Sequence, residues 1–182
     1  MPPIPVEKMT DAQKKALEEF AGVRGQLTGP WVAFMRSPEM LNRARALSDY
    51  LRFNSSLPPR LSELAILIAA RHWTQQYEWV VHHPLALKGG LNPDIAKAIA
   101  DGRRPERMAD DEAAVYEFCT ELHRTQRVSD ATYARAKAAF GEHGIVDLVG
   151  LSGWYTLVAM MLNTAQSPLP PGVEPPLAPL PR

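Results

Sequence analysis

Between Arg71 and Gly90 the chain reads RHWTQQYEWVVHHPLALKGG, which sets Gln75, Tyr77, Glu78, His82 and His83 close together in an otherwise apolar stretch. Glu78 and His82 stand four residues apart. On a helix that spacing places both side chains on one face, within reach of a carboxylate–imidazole hydrogen bond. Such a pair suits general acid–base chemistry: the carboxylate orients the ring, and an imidazole moves protons near neutral pH. Glu63 opens the preceding apolar run, LAILIAA from Leu64 to Ala70, and would complete a proton relay if it faces the same cavity. Buried ionisable groups are costly unless they are paired or put to use. Glu78, His82 and Glu63 are therefore the candidate catalytic residues.

The same spacing also fits an exposed i, i+4 pair, worth at most about 1 kcal/mol. The apolar neighbours Trp79, Val80, Val81 and Leu85 favour a buried site. Glu63 could equally be a helix N-terminal carboxylate satisfied by the dipole and by Arg60 or Arg71. Gln75, Tyr77 and Trp79 are candidate substrate contacts, and Arg71 and Arg60 are candidates for holding a substrate carboxylate. Adjacent helix positions point about 100° apart, which makes His83 a bystander to His82. His72 reads as packing beside Trp73. His72, His82 and His83 with Glu63 and Glu78 could offer metal ligands, but HExxH is absent and the spacings match no known site type. Neither a metal nor a cofactor is expected. Cys119 lies in AAVYEFCTEL among core-spaced apolar residues and reads as a buried structural thiol.

The elements that must position these residues are helical, because the apolar period is helical almost throughout and no hairpin signal occurs. Thr10 and Gln13 form a capping box for a helix that stops near Gly22. A short helix is expected over Trp31 to Met35, and Ser37-Pro38 opens another to about Phe53. After the loop NSSLPPR, an apolar helix begins at Arg60 or Ser62 and runs to about Trp73. The next covers roughly Gln76 to Lys88, with Pro84 expected to kink or break it and Gly89-Gly90 to end it. Asn92-Pro93 caps a short helix to Ala100, and DGRRPERMAD is a polar connection. Helices over Asp110 to about Gln126, Ser129 to about Phe140 and Ile145 to about Gln166 complete the set. Residues 1–167 thus form one all-α domain, and 168–182 form a tail with seven prolines in fifteen residues, extended and either loose or laid across a neighbour. Acidic residues open both very apolar helices, Glu63 and Asp147, a faint internal echo.

Length and composition bound the function. A chain of 182 residues with 46% hydrophobic content can bury a core of its own. Twenty basic and twenty acidic side chains cancel, so charge makes no case for nucleic acid or for an anionic membrane. One cysteine excludes an internal disulfide, a CxxC redox pair and a Cys-rich zinc site. The N-terminus shows no apolar h-region, and contiguous apolar runs fall short of the roughly 20 residues of a membrane span. A cytoplasmic protein is expected. Leu64 to Ala70, Ile145 to Val149 and Leu157 to Leu162 are more apolar helix than one small bundle easily buries, which predicts a homo-oligomer.

The segment LPPRLSELAILIAARHWTQQYEWVVHHPLALKGGLNPDIAKAI, Leu57 to Ile99, resembles the core of the carboxymuconolactone decarboxylase and alkylhydroperoxidase-D-like family. The flanking helices extend the similarity over about residues 20 to 167. The resemblance implies an all-helical bundle of the alkylhydroperoxidase-D-like type, with trimer or hexamer favoured. In the family's peroxidase branch a Glu, a CxxC pair and a His form a proton relay around a redox disulfide. Laid on this chain, the Glu falls on Glu63, the cysteines on Gln75 and Glu78, and the His on His82. Both sulfurs are gone, and neither Gln nor Glu forms a sulfenic acid or a disulfide. The decarboxylase branch also lacks the CxxC pair and acts on lactones from aromatic-acid breakdown, where CO2 departs and the electron pair left behind must be protonated.

The expected function is therefore that of a cofactor-free carbon–carbon lyase of the decarboxylase type, or a related proton-transfer enzyme, on a small lactone or unsaturated carboxylic acid. A hydrolase or isomerase would need the same parts. A catalytically silent family member, binding a ligand or serving as an oligomeric scaffold, is the alternative, and the Pro-rich tail suits it. A peroxidase role follows from similarity alone and is opposed by the missing cysteines.

Overall fold

Thr10 begins the first helix reciprocally with Gln13. The Gln13 amide N–H donates to the Thr10 hydroxyl at 3.2 Å, and the Thr10 N–H donates to the Gln13 side-chain oxygen at 3.0 Å. A computed structural model describes residues 1–179. Its helices are α1 (Asp11–Arg24), α2 (Pro30–Phe34), α3 (Pro38–Phe53), α4 (Pro59–His72), α5 (Gln76–Lys88), α6 (Pro93–Ala100), α7 (Asp110–Thr125) and α8 (Asp130–Ala165), preceded by a 3-10 turn over Val6–Lys8. There is no strand among the described residues. Proline stands in the first turn of α2, α3, α4 and α6, where the missing N–H would find no intrahelical partner anyway.

The all-α expectation is met, and the core is built around α4. Every residue from Leu61 to Arg71 is buried. The helix is covered by α5, α6, α7 and α8, so an apolar stripe on one side would not suffice and the sequence is apolar all round. The run from Leu64 to Ala70, one reason to expect partners, is thus buried within the single chain. A Leu67→Ala truncation in this setting costs about 2–5 kcal/mol.

One helix feature differs from expectation. α5 continues through Pro84 to Lys88 as one element. The proline sits one turn from the helix end, so little ladder lies beyond the N–H it lacks. The expected pair of C-terminal helices is met within α8: Gly141, at a positive φ of 66° suited to glycine, breaks the helical geometry between them. An 18-residue window of α8, of mean hydropathy 1.7, is long and apolar enough to cross a membrane, which contiguous apolar runs in the sequence did not signal. More than half of that window is buried in the fold, the position of a core helix.

The tail leaves α8 through Gln166 at φ 50° and returns across its own chain. Leu177 is only 3% exposed. The Leu177 N–H donates to Gln76 Oε1 at 2.9 Å, Gln76 Nε2 donates to the Leu177 carbonyl at 2.8 Å, and Arg71 Nη2 donates to the Ala178 carbonyl at 2.8 Å. At the other terminus the Met1 ammonium donates to the Ala165 carbonyl, placing positive charge at the C-terminal end of α8.

Asp147 and Glu63 do not share a role. Burial pushes the Asp147 carboxyl up, but the Ser56 N–H (2.8 Å) and hydroxyl (2.7 Å) and the Tyr50 hydroxyl (2.9 Å) outweigh it and hold the group below the usual carboxylate range. Asp147 pins the loop between α3 and α4 to α8.

Candidate active site

The turn between α4 and α5 is only three residues long, Trp73–Gln75, with Thr74 in a left-handed conformation at φ 47°. Gln75 starts α5 in place of the usual short polar cap. Its Oε1 accepts from the N–H groups of Tyr77 (2.6 Å) and Glu78 (3.2 Å), and its Nε2 donates to Asn163 Oδ1 on α8 at 2.9 Å. These bonds fix the first turn of α5, and Tyr77 and Glu78 with it. One turn on, His82 meets Glu63 of α4: Nδ1 lies 2.7 Å from Oε2, with both side chains buried. With the carboxylate as acceptor, Nδ1 carries the proton and the ring is held in one tautomer. The Tyr155 ring of α8 stands edge-on to the imidazole at 4.9 Å between centroids.

Glu78 is 2% exposed, and neither of its carboxyl oxygens has a hydrogen-bond partner among the described residues. Burial pushes its pKa well above the ordinary carboxylate value, which favours the protonated form. Burial likewise pushes the Tyr155 phenol far up. Glu78, His82 and Tyr155 all line one cavity of about 530 Å³. Trp31, Tyr77, Trp154, Phe20 and Phe53 contribute aromatic wall, and Val81, Val158 and Leu162 aliphatic wall. Gly29, at φ 56°, lets the chain pass close to Tyr77: a Cβ there would fall 2.6 Å from the Tyr77 ring.

Arginines reach the cavity from the N-terminal helices. Arg24, at the end of α1, donates through Nε to Asp49 Oδ1 at 3.0 Å and through Nη2 to Ser48 Oγ at 3.2 Å. Its guanidinium also lies 5.0 Å from the Trp31 ring centroid. Asp49 takes a second arginine, Arg45, at 3.4 Å on Oδ2. Arg52, one turn beyond Ser48 on α3, has a buried Nε with no hydrogen-bond partner, and its guanidinium lies 5.1 Å from the Phe53 ring.

Of the residues singled out from sequence, Glu63, Glu78 and His82 are brought together, but in a different pairing. His82 bonds Glu63, and no hydrogen bond joins it to Glu78. Tyr77 lines the cavity. Gln75 is engaged as the cap of α5, Trp79 is buried and stacks on His83 at 5.8 Å, and neither forms cavity wall. Arg60 pairs with Asp111 at 2.6 Å and with Glu112 on α7, while Arg71 holds the tail; both lie off the cavity. His72 packs on Trp73 as expected and stacks on His123 at 4.9 Å. Cys119 is buried beside Ser152, and burial raises its thiol to about 11. Among the described residues no cluster of three or more His, Cys, Asp or Glu side chains could hold a metal.

Sequence reading missed Arg24, Arg52, Trp31, Trp154 and Tyr155. The available signal was weak: Ser48 and Arg52 share a helix face at i, i+4, as do Asp49 and Phe53, but nothing in the spacing links α3 to residues 78–82. Comparison of the chain with protein-family models and with curated proteins gave no match.

Proposed function

We propose that this protein is a cofactor-free proton-transfer enzyme of the decarboxylase type, acting on a small lactone or unsaturated carboxylic acid. The reading includes a bundle of the alkylhydroperoxidase-D-like kind, which the all-helical fold and the pairing of Glu63 with His82 support. The observation that carries the function is the buried, unpartnered carboxyl of Glu78, its pKa raised by burial, in a cavity wall shared with His82, which bonds Glu63. A carboxylic acid kept protonated in an apolar site is a general acid with no competing internal acceptor.

In the reaction the bond between the substrate carbon and its carboxylate breaks, and CO2 leaves. The electron pair passes into the conjugated system, and the Glu78 O–H delivers its proton to the carbon. Glu78 is left as a carboxylate in a desolvated site, a state that favours its reprotonation, with His82 as the adjacent proton carrier. The aromatic wall suits an unsaturated, planar substrate. The positions equivalent to redox cysteines are Gln75 and Glu78, and Cys119 lies off the cavity, which speaks against a thiol peroxidase.

A homo-oligomer belongs to the same proposal: Val146, Val149 and Met160 are exposed on α8, Val146 at 67%. Light scattering that reports a monomer at micromolar concentration would remove that part alone. The function is tested by screening lactones and unsaturated carboxylic acids for CO2 release with the wild type, Glu78→Gln and His82→Ala. Turnover by the wild type that is lost in both variants is expected. Equal turnover in all three would defeat the assignment, and saturable binding without turnover would point instead to a ligand-binding member of the family.

A further inference from the structure

We infer that Arg52 is the specificity-determining residue of the cavity, holding the anionic group of a planar aromatic acid. This rests on reading the cavity as a substrate site. Two arginines line it, and they differ in what they have left to give. Arg24 is committed: Asp49 and Ser48 take its Nε and Nη2, and its face lies over Trp31. Arg52 is uncommitted at Nε, which is shut off from solvent and bonded to nothing among the described residues. Arg52 lines the cavity and forms no hydrogen bond or ion pair among the described residues, so the rest of its guanidinium fork is open to a ligand carboxylate.

Local charge favours the same ligand. Asp49, the one acidic lining residue besides Glu78, is neutralised on both oxygens, by Arg24 and by Arg45. An incoming anion therefore meets a net positive rim. The cavity wall is rich in rings: Trp31, Phe53, Tyr77, Trp154 and Tyr155 all contribute to it. A volume of about 530 Å³ accommodates a one- or two-ring acid within the usual range of small-molecule sites.

The probes are benzoate and 2-naphthoate, each set against its uncharged amide of the same shape. Trp31 and Trp154 line the cavity, so binding is read from intrinsic fluorescence. The wild type is expected to bind the acids more tightly than the amides. Arg52→Gln is expected to weaken the acids by about 10- to 100-fold while leaving the amides unchanged, the size of a lost charged hydrogen bond. Arg52→Lys keeps the charge without the planar fork and should fall between. Thermal melts of both variants confirm that they fold, and amide binding reports an intact cavity. Acids that bind no better than amides, or Arg52→Gln weakening acid and amide alike, would overturn the inference. Discrimination by Arg52 alongside failed turnover would thus sink the catalytic reading and leave this one standing.

Discussion

His82 Nδ1 sits 2.7 Å from Oε2 of Glu63, nineteen residues away in sequence and on the neighbouring helix, although Glu78 stands one turn away on its own. The tertiary pairing separates two jobs. In the proposed mechanism Glu63 orients the imidazole, and Glu78, unpaired and with its pKa raised by burial, supplies the proton. His82→Ala should lower turnover by about 10²–10⁴, the usual worth of general acid–base catalysis. Glu63→Gln should cost less, about 10- to 100-fold, as when an orienting bond to a functional histidine is lost. Nitrogen NMR of the His82 ring should show the proton fixed on Nδ1 in the wild type and shared between both nitrogens in Glu63→Gln. An unchanged tautomer would refute the orienting role.

Glu78 should make the protein less stable as pH rises. Its folded-state pKa stands well above the ordinary 4.5, so between those two values the folded form holds a proton that the unfolded form has released. Stability contributed at low pH is then lost progressively as pH climbs from 4.5 towards the folded value. Glu78→Gln should flatten that slope in melts taken from roughly pH 5 to 9. Glu78→Leu, which removes the unpartnered polar group altogether, should add about 1–3 kcal/mol at the alkaline end and abolish activity. Parallel wild-type and Glu78→Gln slopes would contradict the buried, protonated assignment.

His123 should act in the opposite sense on the acid side. Burial first, and the neighbouring His72 second, lower it to about 4. Below 6.5 the unfolded chain takes up a proton that the folded chain refuses, so stability falls as pH drops from 6.5 towards 4. His123→Phe keeps a ring stacked on His72 and removes the titration. Its melting temperature, relative to wild type, should rise as pH falls through that window, and a constant difference would exclude the mechanism.

The tail should stiffen the turn that opens α5. Gln76, which exchanges two hydrogen bonds with Leu177, is followed at once by Tyr77 and Glu78. Leu177→Ala should destabilise by about 2 kcal/mol. Deleting residues 168–182 should speed amide exchange at Tyr77 and Glu78 more than in α7. Unaltered exchange in α5 would show the tail to be a passive covering.

Cys119 should be silent. Its thiol, buried and raised to about 11, is expected to resist thiol reagents until the protein unfolds. Cys119→Ser should leave turnover within about twofold, since the residue lies off the cavity. Peroxide consumption lost in that variant would revive the thiol peroxidase.

Much of this architecture was legible because it is local. The Thr10–Gln13 capping box, the prolines at helix starts and the all-round apolar pattern of α4 each announce an element within a few residues. The Glu63, Glu78 and His82 set was legible too, because charged groups in apolar surroundings demand a reason. Their pairing was not: helical spacing favoured Glu78 with His82, and only the tight α4–α5 turn brings Glu63 to the ring instead. Arg60 and Arg71 looked like carboxylate receptors because they flank the site in sequence, yet Asp111, Glu112 and the tail already claim them. Arg24 and Arg52 come from distant helices, and their convergence is a property of the packing alone.

That convergence divides the cavity by origin. The residues proposed to handle the proton come from the α4–α5 hairpin, Arg24, Trp31, Asp49, Arg52 and Phe53 come from the first 53 residues, and α8 adds Trp154, Tyr155, Val158 and Leu162. Descendants of such a chain could acquire new diets by drift in the N-terminal third while the reactive hairpin stays untouched. Inheritance of mechanism and inheritance of substrate would then follow separate stretches of the gene, and chimeras that swap α1–α3 between relatives are the natural way to trade one without the other.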